Sequence, residues 1–111
     1  MGYDIHLTRR EYWSDDGDPE ISLAQWIDYV ARDPEITPDA EDPDPENFIV
    51  TVGGENCPLW WDEGELKTKN PPERVIIKLV EVANALGARV LGDDDEIYGI
   101  GADGNLSVER R

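Results

Sequence analysis

Residues 48–70 read FIVTVGGENCPLWWDEGELKTKN, and the fold class is decided here. Phe48-Ile49-Val50-Thr51-Val52 is a β-branched and aromatic run ended by Gly53-Gly54, the composition of a strand entering a turn. Leu59-Trp60-Trp61 is a second strand and Glu65-Leu66-Lys67-Thr68-Lys69 a third, joined by a tight turn around Asp62-Glu63-Gly64. Gaps this short favour antiparallel hairpins, since a parallel crossover needs a dozen residues or more.

On the C-terminal side the period changes. Asn70 and Glu73 frame a capping-box-like helix start, with Pro71 at the first helical position. Ile76, Leu79, Val80, Ala83 and Leu86 recur on one face, Val75 and Val82 widen it, and Lys78, Glu81 and Asn84 face away. Gly87 fits a left-handed C-cap. Residues 89–91, 96–100 and 106–109 read as short closing strands. On the N-terminal side, residues 33–46 hold seven acids, four prolines and no base, which predicts an extended surface loop. Before it, Ser22 and Gln25 make a capping box, Ile21 and Trp26 stand at staple positions, and Leu23, Trp26, Ile27 and Val30 share a helix face that Pro34 ends nearby. Tyr3, Ile5 and Leu7 alternate with Asp4, His6 and Thr8 as a half-buried first strand. The order is β-α-β-β-β-α-β-β-β within 111 residues, one domain with one modest core. That is an α+β protein, two helices packed on a mostly antiparallel sheet, for which a ferredoxin-like core is one arrangement.

Charge bounds the function. There are 26 Asp and Glu against 10 Lys and Arg, a net of −16. Residues 1–56 carry 15 acidic and 3 basic side chains, whereas residues 57–111 carry 11 and 7, so the N-terminal half holds most of the excess. Self-repulsion on this scale disfavours compaction; it makes nucleic acid and anionic membrane poor partners, neither of which is expected, and suits a basic protein surface or a polyvalent cation. The alternative is that acidity only maintains solubility. No apolar run approaches the roughly 18–20 residues of a membrane span. The Met1-to-Arg10 start lacks a signal-peptide core, and His6 stands where a myristoylation pattern requires Ser or Thr. Cys57 is the only cysteine, which rules out an internal disulfide and fits a reducing compartment; the expected location is cytoplasmic.

Catalytic chemistry has little support. His6 is the only histidine, which excludes histidine-rich metal sites. Asp4 shares its strand face, but at roughly 6.5–7 Å along the backbone, so a structural or solvent-facing imidazole is expected. Cys57 has no adjacent base to activate it. Residues 99–104 match G-x-G-x-x-G, yet only seven residues follow, too few for the helix that a dinucleotide site requires, so the match reads as a hairpin turn. Asp93-Asp94-Asp95-Glu96 and Asp15-Asp16-Gly17-Asp18 lack the spacing of a calcium-binding loop. No cofactor, no dedicated metal site and no enzymatic activity are expected, and any cation binding should be weak and diffuse.

The aromatic residues point elsewhere. Trp60 and Trp61 are adjacent on a strand and face opposite sides, so one enters the core and the other lies beside Asp62, Glu63 and Glu65. Trp13 lies among Glu11, Tyr12, Asp15 and Asp16. An exposed aromatic ringed by carboxylates has the composition of a binding hot spot for Lys or Arg; alternatively, a second layer covers the exposed indole.

Tyr3-Asp4-Ile5-His6-Leu7-Thr8-Arg9, Trp26-Ile27-Asp28-Tyr29-Val30 with Asp33-Pro34-Glu35-Ile36, and Leu86 through Asp94 resemble a widespread family of small uncharacterised acidic bacterial proteins, itself similar to the immunity proteins of polymorphic toxin systems. The resemblance covers both ends and the first helix but not the acidic Pro-rich loop, which looks like a shortened insert. It implies a stoichiometric inhibitor that blocks a toxin's basic active-site cleft, and it brings no active site to carry over. The expected contact residues are Trp13, Trp60, Trp61, Asp62, Glu63 and Glu65, with Asp39, Glu41, Asp42, Asp44 and Glu46 of the loop. The rival readings are an acidic, nucleic-acid-mimicking regulator of a basic host protein and, behind it, a divalent-cation-dependent enzyme.

Overall fold

The computed structural model describes residues 3–42 and 44–110; the Met1-Gly2 start and Pro43 of the acidic stretch, both read above, lie outside them, as does Arg111. The elements in chain order are β1 (Asp4–Thr8), α1 (Leu23–Val30), β2 (Ile36–Pro38), β3 (Asn47–Val52), β4 (Glu55–Asp62), β5 (Glu65–Lys69), α2 (Glu73–Leu86), β6 (Arg89–Gly92), β7 (Ile97–Ile100) and β8 (Leu106–Glu109). The strands form one antiparallel sheet in the order β2-β3-β4-β5-β1-β6-β7-β8. This is the α+β class expected. Its inner strands β4-β5-β1-β6 have the neighbour order of a ferredoxin-like core, but the sheet continues by two strands on either side and does not establish that fold.

Register sorts the side chains onto two faces. Leu7 lies opposite Leu66 and Val90, Phe48 opposite Leu59, and Ile36 and Cys57 each opposite Val50. These residues join Trp26 of α1 and Val75, Leu79, Val82 and Leu86 of α2 in one buried cluster, so both helices cover this face. His6 lies opposite Lys67 and Leu91 on the other, outer face.

Local chemistry explains the element ends. Ser22 and Gln25 make both bonds of the capping box, and Ile21 and Trp26 are fully buried. Gly87 takes the left-handed C-cap at φ 66°. Glu63 and Gly64 both have positive φ, forming a two-residue turn that matches the twist of the flanking strands.

Five expectations need correction. Helix α2 starts at Glu73, with Pro72 as an N-cap that makes no side-chain bond. Pro71 precedes another proline and is thereby driven out of helical geometry, and Asn70 instead accepts the Tyr3 amide at 2.9 Å. The acidic stretch contains an edge strand, β2, where Pro38 is tolerated because one side of the strand needs no partner. Strand β4 runs unbroken from Glu55 through Pro58, whose carbonyl accepts the Thr68 hydroxyl at 2.6 Å. Ile27 is 47 % exposed rather than on the buried face of α1. Lys78 does not face away from the fold: its side chain is 12 % exposed, and its ammonium bridges Asp33 and Glu35, each at 2.8 Å.

Candidate functional site

On the outer face, the segment between β1 and α1 lies over His6 of β1. Arg10, 5 % exposed, pins that segment: its guanidinium donates to the Gly17 carbonyl at 2.7 Å, the Glu63 carbonyl at 2.7 Å and Glu20 at 3.1 Å. Trp13 is thereby laid flat on the His6 ring, with centroids 4.3 Å apart and planes 5° from parallel. Its indole N–H donates to the Asp93 carbonyl at 2.9 Å and its backbone N–H to Asp95 at 3.0 Å.

Beneath Trp13 lies a charged cluster. The His6 Nδ1 is 3.1 Å from Glu65 Oε1, and Nε2 is 3.4 Å from Asp93 Oδ1. His6 and Glu65 are both buried. The second Glu65 oxygen has no hydrogen-bond partner but stands 3.6 Å from Arg10 Nη1, close enough for charge pairing.

Two adjoining hollows open on this side. One, of about 470 Å³, is lined by Arg10, Trp13, Asp15, Asp16, Glu20, Asp62, Glu63, Glu65 and Lys67, among others. The next, of about 330 Å³, is lined by Asp44, Glu46, Asn47, Trp60, Trp61, Asp62 and Lys67. Asp62 and Lys67 border both and pair at 3.4 Å. Six of the eleven residues lining the first hollow and three of the seven lining the second are acidic, against Arg10 and Lys67. A guanidinium or ammonium entering would therefore meet carboxylate acceptors, most of them in the first.

The structure thus brings Trp13, Asp62, Glu63 and Glu65 to one hollow, and Trp60, Trp61, Asp62, Asp44 and Glu46 to the other. Asp39, Glu41 and Asp42 line neither: Asp39 accepts the Glu41 amide at 3.0 Å, closing a local turn. Trp61 is the core-side member of the tryptophan pair, half-buried against the core, and donates to the Ile21 carbonyl at 2.8 Å. Trp60 is half-buried on the outer side. Trp13 is itself the covering layer, and Glu65 is an interior ion rather than a surface acid.

Sequence reading missed Arg10, Glu20, Asp93 and the burial of His6. The available signal was Arg9-Arg10, two of only three basic residues in the first half of the chain. A larger hollow of about 690 Å³ lies between α1 and β2–β3; it is mostly apolar, lined in part by Ile27, Val30, Ile36, Pro38 and Phe48. Cys57 is buried and contacts Thr68 at 3.1 Å; burial pushes its thiol pKa up despite that contact, which keeps it protonated and unreactive.

No family model matches the chain, and neither the curated proteins nor the solved structures contain a significant match. Among the described residues, no helix is long and apolar enough to cross a membrane.

Proposed function

We propose that this protein is an acidic binding protein of the immunity type, which neutralises a cognate bacterial toxin by occupying its basic cleft. The observation that carries the reading is the pair of carboxylate-walled hollows sharing Asp62, with Trp60 beside them as an apolar contact. Long-range attraction steers a basic partner toward such a surface, while a desolvated aromatic contact slows its departure. The chain's net charge of −16 supplies the field.

The test is genetic and then physical. The product of the reading frame beside this gene is expressed with and without this protein. The reading requires that product to be toxic alone, harmless with the wild type, and toxic again with the Asp62→Lys, Glu63→Lys variant. A harmless neighbour, or protection that survives the double reversal in a folded variant, overturns it. A harmless neighbour together with a stable complex between this chain and a basic host protein would favour the regulator reading instead.

A further inference from the structure

Electron-pair donors converge under Trp13. Asp4 Oδ, His6 Nε2 and Asp93 Oδ lie within 4.8 Å of one another, and the His6–Asp93 pair is at 3.4 Å. The two carboxyl groups are only partly buried, 31 % and 35 % exposed, so the cluster is reached from solvent. On the far side of the ring, Nδ1 faces Glu65, an acceptor, at 3.1 Å. Glu65 therefore favours the tautomer with the proton on Nδ1, which leaves the Nε2 lone pair directed at Asp93 with Asp4 nearby. In that tautomer Nε2 and the two carboxylates present three donor atoms to one point, where a metal ion competes with a proton on Nε2.

We propose that Asp4, His6 and Asp93 bind one divalent transition-metal ion of the zinc type, with Glu65 as the residue that orients the imidazole. A neutral imidazole with two carboxylates suits such an ion rather than calcium or magnesium, which take oxygen ligands. Bonds of about 2.0–2.2 Å put neighbouring ligand atoms roughly 3.3 Å apart, close to the spacing His6 and Asp93 already have. Asp4 has to swing inward, away from Lys69, whose ammonium stands 4.0 Å from it. The carboxylate–histidine–metal relay through Glu65 matches how metal-bound imidazoles are held. Asp93 is anchored independently, since its other oxygen accepts the Asp4 amide at 3.1 Å. The sequence hides this site because Asp4 and His6 alone are too far apart along β1; the third ligand arrives from the turn after β6.

The experiment is calorimetric titration of chelator-stripped protein with zinc chloride, repeated with magnesium chloride. One zinc per chain should bind with micromolar or tighter affinity, while magnesium shows no saturable site. His6→Gln and Asp93→Asn should each weaken zinc binding at least about tenfold, and Glu65→Gln about tenfold or more through lost orientation. Asp15→Asn with Asp16→Asn should leave it unchanged. Asp93→Asn, at a partly exposed position, serves if His6→Gln does not fold. Cobalt(II) should give the visible absorption of a low-coordinate site, lost in Asp93→Asn. Zinc uptake that is unsaturable, equal in the Asp93→Asn and Asp15→Asn, Asp16→Asn variants, or matched by magnesium means diffuse carboxylate binding and overturns the proposal. So does a ¹⁵N spectrum in which both ring nitrogens of His6 stay protonated at neutral pH with zinc present, the mark of an imidazolium held between Glu65 and Asp93.

Discussion

Arg10 and Arg32 show how differently one residue type behaves on this fold. Arg32 pairs with Asp28 one helical turn away, and both side chains are more than 70 % exposed. Arg10 is 5 % exposed, holds two backbone carbonyls and Glu20, and stands beside the buried Glu65. Removing an exposed pair costs at most about 0.5 kcal/mol, whereas removing one partner of a buried charge cluster costs about 3–5 kcal/mol because the other charge is left uncompensated. Arg10→Met should therefore lower unfolding stability in urea by that larger amount and expose Trp13, shifting its fluorescence to the red; Arg32→Met should do neither. Equal effects from the two variants would show that Arg10 is not the anchor of the segment over His6. Gly64 belongs to the same anchor: its φ of 88° suits glycine, and a Cβ there would come within 2.6 Å of Glu20 and 2.9 Å of Arg10. Gly64→Ala should consequently destabilise, by about 1 kcal/mol or more.

The two helices are tied by ions as well as by the core. Asp33, just past α1, accepts the Tyr29 hydroxyl at 2.6 Å and pairs with Lys78 of α2 at 2.8 Å. Burial alone would raise the Asp33 carboxyl, but hydrogen bonds from Lys78, Tyr29 and the Glu35 amide outweigh it and hold its pKa below the ordinary value. Burial and the bond to Asp33 push Tyr29 up to about 12; Lys78 is raised because its carboxylate bonds outweigh its burial. A depressed carboxyl contributes stability above its unfolded pKa of about 3.9, and that stability is lost as pH falls through the folded value. The raised groups act oppositely: their contribution is complete below about 10 for the tyrosine and about 10.4 for the lysine, and is lost at higher pH. Asp33→Asn should cost about 3 kcal/mol at neutral pH, with the gap to wild type closing as pH falls below about 4. Urea midpoints from pH 2 to 8 check this, and a gap constant with pH would mean that the Asp33 charge is not involved. None of this tie was legible in sequence, because Lys78 sits at a helix position that periodicity assigns to solvent. What periodicity does fix is the existence of both helices and of β1, β3 and β5. It misses β2, a three-residue edge pairing inside a Pro-rich acidic run, and truncates β4 at Pro58. Both are cases of tertiary pairing overriding a local breaker signal.

Across the whole molecule the question is whether the acidity is used at one surface or spread for solubility. Sequence composition identified the tryptophan–carboxylate hairpin, and the fold brings Asp44 and Glu46 to it, but composition cannot show that Glu65 is buried or that Asp15, Asp16 and Glu20 line the same hollow as Asp62 and Glu63. If the walled hollows receive a basic partner, association should slow steeply from 0.01 M to 0.15 M salt, over which the Debye length shrinks from roughly 30 Å to about 8 Å. Dissociation should respond little to salt and strongly to Trp60→Ala, because it is set by desolvated contacts rather than by the long-range field. The discriminating comparison pairs two double reversals of equal charge. Asp62→Lys with Glu63→Lys alters the wall of the hollows, while Glu41→Lys with Asp42→Lys alters exposed acids that line neither. Both sets lie on exposed positions, so circular dichroism should show both variants folded. Surface plasmon resonance against the partner should give a loss of at least about tenfold in affinity for the first set, and only the change in on-rate expected from net charge for the second. If the second set is the more damaging, the interface is centred on the Pro-rich loop and the hollows are incidental. If the two sets differ only through net charge, the surface acts as a uniform field and the carboxylate walls confer no binding position.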